Sequence, residues 1–232
     1  MIFGGGSMDI DLARVVTYFA AMLFSLTFHE AAHALAAKMQ GDDTAERLGR
    51  LSLSPLPHID WVGTVALPLA GMLLSLPFIG WAKPVPVDPR NLRSPVWGNV
   101  FVSLAGPGSN LILCVICAAL VFAHQLFFAE LIPAGSLFYP LVELLKAMIF
   151  VNAILAVFNM IPLPPLDGGA LAYILLPRKA AENYEAFVAP YGFLILMFLA
   201  FAGGLQWVHA IAIGYVSWVD TGLRLVFGAF LT

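Results

Sequence analysis

Residues 25–39 read SLTFHEAAHALAAKM and lie inside the first strongly apolar run of the chain. His29, Glu30 and His33 put three ionisable groups into little more than one turn of a helix whose other residues are mostly Ala, Leu and Phe. A charged side chain near the centre of a bilayer costs on the order of 3 kcal/mol even on lenient insertion scales. Positions i and i+4 of a helix share a face about 6 Å apart. Both imidazoles can therefore reach one ion, and the glutamate beside the first can reach a water on that ion. This is the H-E-x-x-H arrangement of two metal ligands and a general base. The bland alternative, three polar groups buried against partner helices, has to place them together in a segment that otherwise has almost none.

Composition sets the solvent. Apolar residues make up 61% of the 232 residues and charged residues 11%, against roughly 45–50% and about 25% in soluble domains. Mean hydropathy is +0.90. Several stretches of about 20 residues are long enough to cross a hydrocarbon core of roughly 30 Å. We expect a polytopic α-helical membrane protein, one integral membrane domain over 1–232, with a catalytic core of about 12–170 and a C-terminal helical pair at about 186–229. Its polar loops are too short for an added soluble domain. The net charge of −3 comes with no basic patch, which argues against a nucleic-acid partner. The first residues lack a basic n-region and a small-residue cleavage site, so the first apolar segment reads as retained. Cys114 and Cys117 form a C-x-x-C within an apolar helical run, where they read as two small apolar side chains.

Five spanning helices are expected at roughly 12–37, 97–123, 139–162, 186–204 and 206–229. The run 62–80 is long enough for a sixth, but Pro68, Gly71 and Pro77 interrupt it. Broken helices at membrane depth are tolerated where they pack in protein or line a cavity. Residues 48–55 alternate apolar and polar, and 83–89 does the same with three prolines. They are expected to pair as a small β-hairpin near the site, with an edge open to an extended peptide. Lys38, Arg47, Arg50, Lys83, Arg90, Arg93, Arg178 and Lys179 fall in loops that the positive-inside rule assigns to the cytoplasm. The 124–138 loop and the first dozen residues carry no Lys or Arg, so they face outside. That pattern requires 62–80 to enter and return on one side, as a re-entrant segment.

A hydrolytic zinc site takes three protein ligands and keeps one position open. His58, Asp60, Asp42 and Asp167 are candidates for the third. Asp167 lies in VFNMIPLPPLDGGAL (157–171), where three prolines end a helix and Gly168 and Gly169 permit a sharp turn. His29 and His33 lie roughly 8–14 Å below the cytoplasmic boundary at 1.5 Å per residue. Asp167 follows a helix that returns to the same side, so the topology favours it. Isolated His124 and His209 read as interhelical hydrogen-bonders, and Asn110 as a packing residue that can bond to the catalytic helix. His58 and Asp60 read as structural or gating residues. Glu143–Lys146 and Asp220–Arg224 read as helix-face ion pairs.

FHEAAHALAA in a membrane helix, with FNMIPLPPLDGG downstream, closely resembles the site-2 protease family of intramembrane zinc metalloproteases. GRLSLSPLPHID, GWAKPVPVDPRNLR and SLAGPGSN resemble its compact prokaryotic branch, which lacks a peptide-binding insertion. The resemblance covers about residues 14–170. It implies one Zn2+ per chain on His29, His33 and Asp167, Glu30 as the base that activates water, and Asn159 holding substrate or the developing oxyanion. It also implies membrane-helix substrates in a prokaryotic plasma membrane. The rival readings are a metal transporter or sensor using the same three ligands, and a catalytically silent relative that binds membrane partners.

Overall fold

The computed structural model describes residues 11–74 and 80–228. It is helical: α1 (Leu12–Met39), α2 (Thr44–Arg47), α3 (Leu67–Leu74), α4 (Pro95–Ala123), α5 (Tyr139–Asn159), α6 (Asp167–Leu175), α7 (Arg178–Phe187), α8 (Gly192–Phe201) and α9 (Gln206–Phe227). Among the described residues five segments are long and apolar enough to cross a membrane: Leu12–Met39, Pro95–Phe128, Tyr139–Asn159, Arg178–Phe201 and Gln206–Phe227. Four fall close to where the sequence places them, and the fourth begins at Arg178 rather than at about 186. The fourth is not one helix, because Pro190 cannot donate to a helical ladder and a 3-10 turn at Ala189–Tyr191 separates α7 from α8.

Helices α1, α4 and α5 pack against one another, and α9 leans on α5 and α4. Lipid tails are as apolar as leucine, so close packing of small residues drives such contacts. The buried faces show it. Cys117 packs with Ala21 and Ala147, and Cys114 with Ala153 and Ala212. Both cysteines are free thiols acting as small side chains. Charges on the helix faces are paired, with Lys146–Glu143 and Arg224–Asp220 each at 2.8 Å.

The run 62–80 begins with a π-helical turn at Trp61–Ala66 that continues into α3. The Asp60 carboxylate caps the turn by accepting from Val62 N and Gly63 N. The chain then comes back to its starting point. Trp81 N donates to Gly63 O at 3.1 Å, and Thr64 Oγ1 donates to Trp81 O at 2.8 Å. Gly63 is required here, since a Cβ would lie 2.3 Å from the Trp81 ring. The two ends of the excursion, Gly63–Thr64 and Trp81, are therefore held together. Residues 75–79 lie outside the described residues.

The expected β-hairpin is not formed: neither 48–55 nor 83–89 is a strand, and the described residues contain none. Two features prevent a ladder. Pro84, Pro86 and Pro89 remove three N–H donors, and Gly49 turns the other stretch with φ +68°. A side chain joins the two stretches instead. Arg50 Nη1 donates to Pro57 O at 2.5 Å, and Nη2 donates to Lys83 O and to Pro84 O. His58 is buried in the same junction, its Nε2 bonded to Ser52 O and its carbonyl accepting from Lys83 N.

Asp42 is the second anchor of this region. It is fully buried and accepts from Thr44 N, Thr44 Oγ1, Asp88 N and Asn91 Nδ2. Burial alone raises its pKa, but the hydrogen bonds from Thr44, Asp88 and Asn91 outweigh that and leave it below the ordinary value of 3.8. A depressed carboxylate pKa adds stability above the ordinary value and loses it as pH falls through the native one. Asp42→Ala should lower unfolding stability by about 3 kcal/mol at neutral pH, since four hydrogen bonds to a buried carboxylate are lost. The check is thermal unfolding in detergent, where the gap from wild type should narrow as pH drops below 3.8.

Candidate metal centre

His29 and His33 lie within the last three turns of α1, and both are buried. Helix α4 runs antiparallel to α1 along this stretch. His33 Nδ1 bonds to Val102 O at 2.8 Å and His29 Nδ1 to Asn110 Oδ1 at 2.7 Å. Halfway between Val102 and Asn110 on the same face is Gly106. A Cβ there would lie 2.3 Å from His33 Nε2 and 2.6 Å from His29 Cε1. The missing side chain is the space in which the two rings meet.

Asp167 opens α6 immediately after the turn that follows α5. Gly168 and Gly169 let α6 settle directly on that turn: Cβ atoms would lie 2.4 Å from Met160 C and 2.6 Å from Pro164 N. The carboxylate then faces the histidines, with Oδ2 at 3.2 Å from His29 Nε2 and Oδ1 at 3.3 Å from His33 Nε2. The two Nε2 atoms are 3.0 Å apart.

Hydrogen-bond logic fixes what these atoms present. Val102 O is a carbonyl and can only accept, so His33 Nδ1 carries a proton. Asn152 Nδ2 donates to Met148 O at 2.8 Å and to Ser25 Oγ at 2.8 Å. Its Oδ1 therefore faces Asn110 Nδ2, 2.7 Å away. Asn110 Nδ2 also points at Ser25 O, so Asn110 turns Oδ1 to His29, and His29 Nδ1 is protonated too. With the rings neutral, both Nε2 atoms are lone-pair acceptors, facing each other and a carboxylate. Asp167 Oδ2 is buried without a hydrogen-bond donor among the described residues.

Acceptors clustered this closely need a cation between them. Around a tetrahedral ion with bonds of about 2.0–2.1 Å, ligand atoms stand about 3.3 Å apart. The observed 3.0, 3.2 and 3.3 Å edges match that triangle. The three residues are a group whose ligand atoms all lie within 4.8 Å of one another, and the Nδ1–H bonds are the outer contacts that orient metal-bound imidazoles.

Glu30 is buried beside them, and its Oε2 accepts from Val85 N at 3.0 Å. Asn159 ends α5. Among the described residues its amide bonds to Leu155 O, one turn back, at 2.9 Å, and to none of the three candidate ligands. The other third-ligand candidates are engaged elsewhere: Asp42 in its four bonds, Asp60 as a cap and His58 with Ser52 O. His124 bonds to Ile132 O in the loop that follows it, rather than to another helix, and His209 packs edge-on against Phe150. Asn152, Ser25, Val102 and Gly106 were not picked out from the sequence. An Asn at the middle of an apolar spanning helix was the available signal for Asn152. Val102 contributes only a carbonyl, and Gly106 only an absence.

The fold and this site define a multi-pass helical membrane protein with a buried two-histidine, one-aspartate centre built on an H-E-x-x-H helix. Residues 17–199 match the profile of Peptidase family M50, and the chain belongs to that family, the site-2 proteases. It is 38% identical over 178 residues to "Putative zinc metalloprotease YwhC" of Bacillus subtilis, covering 77% of each chain. It is 32% identical over 189 residues to "Putative zinc metalloprotease Rip2" of Mycolicibacterium smegmatis, covering 81% of this chain and 67% of the relative. With the protein of the same name in Mycobacterium tuberculosis it shares 30% over 200 residues, covering 83% of this chain and 73% of that one. No solved structure matches it.

Two substitutions test the centre without touching a ligand. Asn110→Ala should weaken metal affinity about 10–100-fold, the usual effect of removing an outer partner of a ligating histidine. Gly106→Ala should abolish binding at equal metal concentration by filling the space between the rings. Gly108→Ala is the control, because a Cβ there meets nothing within 4 Å. Metal per chain by elemental analysis, with helicity by circular dichroism, reads all three.

Proposed function

We propose that the chain is a zinc-dependent intramembrane endopeptidase that hydrolyses peptide bonds in or near the transmembrane helices of membrane-protein substrates. The observation that carries this reading is the buried triangle of His29 Nε2, His33 Nε2 and Asp167 carboxylate beside the carboxylate of Glu30. The zinc metalloprotease names of its relatives support zinc as the metal. One zinc held there supplies a Lewis acid and lowers the pKa of water. His29, His33 and Asp167 hold the ion. Glu30 takes the proton from water and passes it to the leaving amine. Asn159 donates its amide to the developing oxyanion, after its Nδ2 leaves Leu155 O. A substrate helix has its own amides hydrogen-bonded and must unwind locally before attack.

In this reading the N-terminus and the 124–138 loop face outside, the basic loops face the cytoplasm, and the centre opens towards the cytoplasmic side of a prokaryotic plasma membrane. The partners are the bilayer and transmembrane protein substrates. The triangle alone also suits a metal transit site, and Glu30 separates the two.

Purified wild type should hold about one zinc per chain, and Asp167→Ala should lose most of it. Glu30→Gln should keep its zinc and lose at least about 100-fold in cleavage of a tagged membrane helix co-reconstituted in liposomes. Zinc retained by Asp167→Ala, or full cleavage by Glu30→Gln, would overturn the assignment. Zinc flux that survives Glu30→Gln would favour transport.

A further inference from the structure

Glu30 has one hydrogen bond from the described protein, the backbone N–H of Val85, and no cationic side chain pairs with it there. The direction of its carboxylate therefore depends on what holds Val85. The sequence around Val85 is K83-P84-V85-P86-V87. Proline fixes its own φ and restricts the residue before it to extended conformations. Lys83, Pro84, Val85 and Pro86 are thus all restricted, and over Pro84–Pro86 only Val85 has an N–H. A stiff strap presents one donor, and that donor meets Glu30.

Because the strap is not part of a sheet, something else must fix it. Arg50 does so from the far side. Its Nη2 donates to Lys83 O and to Pro84 O, and Nη1 donates to Pro57 O at 2.5 Å. Arg50 is 6% exposed and has no carboxylate partner among the described residues; its Nε is buried without an acceptor. Burying a cation without an anion is costly, and an apolar residue would fill the same junction more cheaply.

The Pro84 carbonyl and the Val85 N–H belong to one planar peptide group. Arg50 holds the oxygen end of that plane while Glu30 accepts from the hydrogen end. Cation, peptide dipole and carboxylate are aligned, so fixing the carbonyl fixes where the N–H points. We propose that Arg50 is a positioning residue for the Glu30 carboxylate, acting through the Pro84–Val85 peptide plane. The inference rests on the reading of Glu30 as the general base. The two-carbonyl grip suits a planar guanidinium and not an ammonium, so Arg50→Lys keeps the charge and loses the geometry.

The test uses the full chain in detergent and in liposomes, as wild type, Arg50→Gln and Arg50→Lys. Hydrogen–deuterium exchange with single-residue fragmentation reads Val85 cleanly, because Pro84 and Pro86 have no amide hydrogen. In both variants Val85 exchange should accelerate about tenfold or more, with zinc per chain and protection of α1, α4 and α5 unchanged. With the tagged helix as substrate, kcat should fall about tenfold or more while KM holds, since a small misplacement of a catalytic group costs rate rather than binding. Glu30→Ala should release the Val85 amide to the same degree. Val85 staying protected in Arg50→Gln overturns the proposal. So does faster exchange with unchanged kcat, or loss of zinc and of helix protection in both variants, which would make Arg50 a structural residue only. Exchange is read without substrate, so a wild type that never cleaves a helix would defeat the protease reading while Val85 exchange still decides the Arg50 relay.

Discussion

Three electron-pair donors held at 3.0, 3.2 and 3.3 Å from one another, inside helices that have lipid as their solvent, are the constraint from which the rest of this structure follows. Without a cation they repel. Each must be made to point inward by something that satisfies its other polar atoms, because an unpaired polar group costs several kcal/mol at membrane depth. The chain meets that demand with one face of α4. Val102 O, the bare Cα of Gly106 and the Asn110 amide meet His33, both rings and His29 in turn. The antiparallel packing of α1 and α4 is thus inseparable from the tautomers of the two histidines.

The same demand explains why Ser25, Asn110 and Asn152 lie together, all fully buried. Two backbone carbonyls, Ser25 O and Met148 O, set both amide orientations. That chain of bonds ties α1, α4 and α5 into the unit against which α6 presents Asp167. Small residues lining the contacts permit the approach that the hydrogen bonds require, so packing and polarity are solved by one arrangement.

What the sequence revealed and what it hid divide along physical lines. Spanning helices are set by length and apolarity, both local properties, and all five were legible. The grouping of His29, His33 and Asp167 was legible too, from the i, i+4 spacing of the histidines and the return of Asp167 to their side. Of the outer contacts, the bond from Asn110 to the catalytic helix was legible; the others were not, because a carbonyl such as Val102 O belongs to every residue type and a glycine matters only against a particular neighbour. The β-hairpin expectation failed for a reason visible in the sequence: alternation suggests a strand, but Pro84, Pro86 and Pro89 take away the donors that a strand must pair.

That substitution of a strap for a strand changes how the site's edge works. In the strap, Lys83 N is taken by His58 O, Val85 N by Glu30 and Asp88 N by Asp42. Arg50 occupies the Lys83 and Pro84 carbonyls. An extended peptide seeking to add as a further strand meets a backbone whose hydrogen bonds are largely committed. In extended chain, residues 85 and 87 point the same way, so a peptide pairing on the Glu30 side has to compete with Glu30 for the Val85 N–H. Strand addition and orientation of the Glu30 carboxylate therefore draw on one donor. The two prolines that leave the strap with so few N–H groups are what make that donor decisive.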